Sequence, residues 1–288
     1  MSETKPIKTN VEEDVVTINI QPFVVPISIL LSAVIIASSL LIGFNNLATT
    51  LKGGVTTTGT TAGATTTTTG TTAGTTGTVT QEQIRALFDD QSNLTFGDPN
   101  SKVLFVEFSD PSCPYCHIAG GKDPEINRSA GASFQLVTDG GTYVAPVVEF
   151  KKLVDEGKAA YAWFYTNGHG NGEMGSKALY CADEQGKFWE AHDLLYSNAG
   201  YNLLNNSVMN DKTKSGDLAN FLGGSLDANS LKECLDSGRY DSKLSIDQSS
   251  GMALGVSGTP GFFVNNTNFA GAYSYTDMQS VVESALAN

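Results

Sequence analysis

The stretch Lys102 to His117, KVLFVEFSDPSCPYCH, joins a short apolar run to two cysteines three positions apart. Lys102 to Ser109 is rich in β-branched and aromatic residues and predicts a buried strand. The strand runs straight into Cys113 and Cys116. At the end of a strand and the start of a helix, the first cysteine of such a pair sits where unpaired backbone N–H groups and the helix dipole stabilise a thiolate. The second lies one turn in, close enough to close a disulfide. Pro114 suits the first turn of that helix, where its missing N–H costs nothing. Alone, the pair is equally half of a zinc site. The other half is missing, because Cys181 and Cys234 are isolated and His117, His169 and His192 are not spaced as a partner set, so no metal is expected.

Downstream, strand and helix patterns interleave. Val147 to Glu156 has helical spacing, Ala160 to Tyr165 (AYAWFY) reads as a strand, and Ser176 to Asn198 as helix, break at Gly186, helix. Leu231 to Gly238 and Tyr240 to Leu254 look helical, Gly261 to Asn265 (GFFVN) is strand-like, and Thr276 to Ala287 is an amphipathic helix. Strands, a central helical block, then strand and terminal helix predict an α/β sheet with a helical insertion.

Upstream the composition changes. The chain has 288 residues and a net charge of −13, which argues against nucleic acid as a partner. Its charged fraction is 16%, and the deficit lies at the front, where Val15 to Leu51 has no charged side chain. Within that stretch Phe23 to Phe44 (FVVPISILLSAVIIASSLLIGF) is long enough to span a bilayer, which takes about 20 residues. This apolar core exceeds the roughly 7 to 15 residues of a cleaved signal and no A-x-A-type site follows, so an uncleaved anchor is preferred to a removed signal or a lipid-attached form. Lys5 and Lys8 against Lys52 point to an inside amino terminus, placing everything after residue 45 outside the cytoplasm. Residues 45–80 are dominated by Thr and Gly, with GTTAG at Gly59 to Gly63 and again at Gly70 to Gly74. Such a stretch reads as a disordered linker, bare or glycosylated, spanning about 30 to 36 Å. The expected organisation is a tail at 1–22, a transmembrane helix at 23–44, the linker at 45–80 and one α/β domain at 81–288.

Three separated features of that domain resemble the DsbA-like branch of the thioredoxin superfamily. They are the strand leading into CPYC (Cys113 to Cys116), the helical stretch ALYCADEQGKFWEAHDLL (Ala178 to Leu195), and GVSGTPGFFVN (Gly255 to Asn265), similar to the segment bearing the family's cis-proline. The sequence departs from the family at Ile118 to Tyr143, rich in Gly and polar residues where a more regular active-site helix is usual.

The resemblance implies a thioredoxin-like fold and a membrane-anchored, extracytoplasmic thiol-disulfide oxidoreductase without a dissociable cofactor. Cys113 would be the nucleophile and Cys116 the resolving cysteine. Pro114, Tyr115, Thr259 and Pro260 would meet the client, with the Thr259 backbone free to pair with an extended segment. Glu107, six residues before Cys113, would lie under the disulfide and relay protons, the plainer reading being a glutamate facing water. His117, just past the second cysteine, would either favour the thiolate as an imidazolium or point outward, whereas His192, Phe188 and Trp189 read as structural. Cys181 and Cys234 are either free core thiols or a second disulfide, the pair being favoured outside the cytoplasm. Clients would be cysteine-containing secreted or surface proteins, served by a DsbB-like or similar membrane redox partner. Proline after the nucleophile favours an oxidase. Thr259 before the cis-proline also suits a reductase or isomerase, and a non-catalytic binding module with a permanently closed CPYC disulfide is the reading from another class.

Overall fold

A computed structural model describes residues 78–287. The tail, the expected transmembrane helix at 23–44 and all of the expected linker except its last three residues lie outside the described residues. Among the described residues no helix is long and apolar enough to cross a membrane. Thr80, assigned to the linker from sequence, instead caps the first helix, α1 (Gln81–Asp89). Gln83 N–H donates to its hydroxyl, and the Gln83 side chain reaches back to the Thr80 N–H at 2.8 Å.

Two strands follow, β1 (Leu94–Gly97) and β2 (Val103–Ser109), then α2 (Pro114–Gly120) and α3 (Pro124–Ser129). The sequence departure at Ile118 to Tyr143 lies here. α2 stops at Gly121, whose φ of +66° suits glycine and where a Cβ would come within 2.4 Å of the Ala145 Cβ. Asp123 and Pro124 then start the next helix, the Asp123 carboxylate accepting from the Ile126 N–H at 3.0 Å. Two short 3-10 turns lead to α4 (Pro146–Asp155) and β3 (Ala159–Tyr165).

A helical block comes next: α5 (Glu173–Asp183), α6 (Phe188–Leu195), α7 (Asn198–Leu203), α8 (Ser215–Leu222) and α9 (Ala228–Ser237). The break between α5 and α6 falls at Gly186, with φ +66°. The chain returns through α10 (Asp241–Ala253) to the hairpin β4 (Gly261–Val264) and β5 (Thr267–Ala270), and ends in α11 (Tyr275–Ala287).

The five strands form one sheet in the order β1-β3-β2-β4-β5. β2 and β3 run parallel at its centre and the other pairings are antiparallel. Both central strands are buried along their whole length, which is why they read as continuous apolar runs. Alternation sorts their side chains onto two faces. Leu104, Val106, Phe108, Ala162 and Phe263 pack with Ile84 and Phe88 of α1. Phe105, Tyr161, Trp163 and Phe262 face α4, α11 and the helical block, and the two cysteines of CPYC join this second cluster. Glu107 is in register with Trp163 on one side and Phe262 on the other. The odd positions of β2 thus carry Glu107 and Ser109 toward the cysteine-bearing face.

Candidate active site

β2 delivers the chain to the CPYC turn, and backbone hydrogen bonds shape it. The Cys113 N–H donates to the Asp110 carbonyl at 2.9 Å, and the Cys116 and His117 N–H groups donate to the Cys113 carbonyl at 3.1 and 3.2 Å. Cys113 is the N-cap of α2, with extended backbone, and Pro114 fills the first helical position. Both sulfurs are free thiols in this state. Cys113 keeps 4% of its surface and Cys116 none.

This asymmetry divides the chemistry between them. The Cys113 thiol is lowered to about 6, first by the hydrogen bond from Cys116, and further by Thr259 and the backbone N–H groups of Cys116 and Tyr115, with burial opposing. Cys116 is pushed well up, first by burial and then by its bond to the neighbouring sulfur and that sulfur's charge. The pair therefore holds one ready thiolate just beneath the surface and one protonated thiol behind it.

The Thr259–Pro260 peptide is cis, and the Thr259 carbonyl oxygen lies 3.6 Å from the Cys113 sulfur. A cleft of about 260 Å³ opens beside it, lined by Val256, Thr259, Pro260, Asn268 and Gly271. Tyr115 is half exposed and meets the ring of Phe134 edge-on at 6.0 Å. Pro114, Tyr115, Thr259 and Pro260 are thus gathered around Cys113, although Thr259 stands 146 residues away in the chain.

Glu107 is wholly buried and does not face water. Desolvation raises its carboxyl, against smaller opposing effects of His192 and of hydrogen bonds from Tyr161 and Ser109. Its Oε2 accepts from the Tyr161 hydroxyl. Ser109, two residues on along the same face, has its hydroxyl 2.8 Å from that of Tyr196. The Ser109 hydroxyl also eases ionisation of both Glu107 and Cys116. Sequence reasoning did not select Ser109, Tyr161 or Tyr196. The period-2 spacing from Glu107 was the available signal for Ser109, whereas neither tyrosine has a local one.

The imidazolium expected at His117 is overturned. The ring points inward, is fully buried, stacks on Tyr196 at 5.1 Å and donates from Nε2 to the Pro111 carbonyl at 2.8 Å. Desolvation lowers it to about 4, so it is neutral at physiological pH and supplies no charge to Cys113. His192 is also wholly buried, stacked on Tyr196 at 4.1 Å. Cys181 and Cys234 are joined in a disulfide between α5 and α9, with Cα atoms 5.9 Å apart. No cluster of metal-ligating side chains occurs among the described residues.

The family model described as Thioredoxin matches residues 148–284. Among curated proteins, Na(+)/H(+) antiporter NhaA 3 of Salinispora tropica is 28% identical over 196 residues, covering 67% of this chain and 24% of that protein. The corresponding NhaA 1 of Salinispora arenicola is 28% identical over 195 residues, again 24% of its length. The chain thus spans about a quarter of the length of the curated relatives it matches. Among solved structures, oxidised BdbD from Bacillus subtilis is similar with a TM-score of 0.50 at 18% identity, over 69% of this chain and 95% of that one. Wolbachia pipientis alpha-DsbA1 gives 0.51 at 18% identity, over 69% and 92%. At such identity the likeness is one of fold. With CPYC following the central strand, a cis-proline facing it and a helical block inserted after β3, the chain has a thioredoxin-like fold, similar to that of BdbD and alpha-DsbA1.

Proposed function

We propose that this protein is an extracytoplasmic thiol-disulfide oxidoreductase that forms disulfides in cysteine-containing secreted or surface proteins. The observation that carries the reading is the division of labour at CPYC: a Cys113 thiolate stabilised to about 6 beside the Thr259 carbonyl, with Cys116 protonated and buried behind it. In the oxidising direction a client thiolate attacks the Cys113 sulfur of the closed pair, the Cys113–Cys116 bond breaks, and Cys116 leaves as a thiolate. Glu107, kept protonated by burial, returns a proton to it by way of Ser109. A second client thiolate then attacks the client sulfur of the mixed disulfide and Cys113 departs as a thiolate. The client loses two electrons and the protein gains them.

Stabilising Cys113 as a thiolate stabilises the reduced form, which favours the oxidase over the reductase or isomerase. Reoxidation falls to a membrane redox partner, and no dissociable cofactor takes part. Pro114, Tyr115, Thr259 and Pro260 meet the client. The apolar run at 23–44 serves as a single-pass anchor with the domain outside the cytoplasm, a reading supported by its length and lack of charge. Equilibration with glutathione redox buffers tests the reading. A potential between about −230 and −120 mV is expected, above that of thioredoxin and toward that of DsbA, whose nucleophiles sit near 7 and 3.5. A value below about −270 mV would sink the oxidase reading.

A further inference from the structure

Asp110 lies between β2 and the redox turn, wholly buried, and both of its carboxylate oxygens are engaged. Oδ1 accepts from the Ser112 N–H at 2.8 Å and the Ser112 hydroxyl at 2.6 Å. Oδ2 accepts from the N–H groups of Gly168 and His169, each at 2.8 Å. One side chain thus binds the redox turn to the exposed loop 166–172 that follows β3. Ser112 reinforces the tie, its hydroxyl accepting from the Asn171 N–H at 3.2 Å.

The loop so held is pressed against the cis-proline segment. A Cβ built on Gly168 would lie 1.7 Å from Thr259 Oγ1 and 2.9 Å from Thr259 Cβ, so the glycine backbone is in direct contact with that side chain. Gly172 is equally close to Asp110, where a Cβ would meet Oδ1 at 1.8 Å. A continuous path of contacts runs from the redox turn through Asp110 and Gly168 to Thr259, whose carbonyl faces Cys113.

We propose that Asp110 is a positioning residue for disulfide exchange, holding loop 166–172 behind Thr259 so that the client-pairing backbone stays in register with Cys113. The inference rests on the oxidoreductase reading. Attack on a client disulfide needs sulfur alignment and a paired client backbone together, whereas alkylation by a small reagent needs only the thiolate. Loss of the tie therefore separates the two reactions.

The test compares two rates for the reduced full-length protein: exchange with a fluorescent peptide disulfide, and alkylation of Cys113 by iodoacetamide across pH. In Asp110→Asn the amide turns an N–H toward donors that a carboxylate oxygen had accepted. Peptide exchange should fall at least about 10-fold, through a raised KM as well as a lower kcat, because misplacement by about 1 Å costs up to about 100-fold. Alkylation should stay within about twofold, with its pH midpoint unmoved. Gly168→Ala leaves the carboxylate intact and displaces Thr259 directly, and should show the same selective loss. The double variant should lose no more than the worse single one, since both act through one contact. His169→Ala keeps the N–H that matters and should exchange like wild type. If exchange and alkylation fall by the same factor in Asp110→Asn, or if neither falls, the positioning role is overturned. A wild-type protein that exchanges with no peptide disulfide overturns the oxidoreductase reading and this inference with it.

Discussion

Tyr161 donates its phenolic hydrogen to Oε2 of Glu107 across the two central parallel strands, and neither residue has any solvent-exposed surface. A carboxyl in that setting is easier to keep protonated than to ionise. It is also placed two residues before Ser109, on the face that receives Cys116.

Replacing Glu107 with Gln keeps the shape and removes the proton. Release of Cys116 from the disulfide should slow by about 100-fold, the lower range for loss of a general acid. The wild-type rate should fall as pH rises through the raised pKa of Glu107, and the variant should lack that fall. The sign for stability is the reverse of an ion-paired acid. A raised carboxyl contributes fully below its unfolded value of about 4.3 and loses that contribution as pH climbs through the folded one. The Gln variant should therefore melt at least as high as wild type at pH 8, with no advantage at pH 4. Superimposable exchange profiles would make Glu107 a packing residue.

Reduced Cys113 should react with iodoacetamide with a midpoint near pH 6, because its thiolate accepts hydrogen bonds from Cys116 first and from backbone N–H groups besides. Cys116→Ala removes the leading donor, so the midpoint should move up toward the ordinary thiol value of about 8.5. The depressed folded value also stabilises the reduced protein above pH ~8.5, a contribution lost as pH falls through 6. Thiolate absorbance during an acid titration measures both.

Cys116→Ser should accumulate mixed disulfides between Cys113 and client peptides, since the buried resolving sulfur is gone, while Cys113→Ser should form none. Non-reducing mass spectrometry of the two variants after incubation with an oxidised peptide distinguishes them. Normal turnover by Cys116→Ser would overturn the assignment of roles.

The Cys181–Cys234 bond closes a loop with a sequence separation of 53. Loop-closure entropy gives about 4 kcal/mol of stabilisation for a loop of this size. A Cys181→Ala/Cys234→Ala double variant should unfold at correspondingly lower urea, with the CPYC pair still able to open and close. An unchanged midpoint would mean that strain cancels the entropy.

Lys243 and Asp247, one turn apart on α10, form a buried ion pair, and Asp247 also accepts from the Tyr180 hydroxyl at 2.6 Å and the Tyr165 N–H at 3.1 Å. Lys243→Ala leaves that carboxylate buried without its cation and should cost about 3 to 5 kcal/mol at neutral pH. The deficit should shrink on acidification, because burial already raises Asp247 and protonation removes the unpaired charge. Denaturant melts at pH 7 and pH 4.5 supply the comparison.

What local pattern carries, the amino-acid sequence determined alone. The apolar runs that became β2 and β3, the helices at both ends of the insertion with their break at Gly186, and the strand–CPYC–helix junction all follow from periodicity and turn chemistry within a dozen residues. α1, β1 and β5 escaped that reading because α1 buries only two residues and the two edge strands have only four residues each, those of β5 mostly exposed. Tertiary structure alone decided the environment of each ionisable group. His117 looked like a charge beside the thiolate, and becomes a neutral ring because Tyr196, 79 positions later, covers it. Tyr161 and Tyr196 meet Glu107 and Ser109 across 54 and 87 residues, and Asp110 reaches Gly168 across 58. Such contacts are made by strand pairing and by the helical block folding back over the sheet, and desolvation depends on what lies on every side of a group. No window of sequence contains that information.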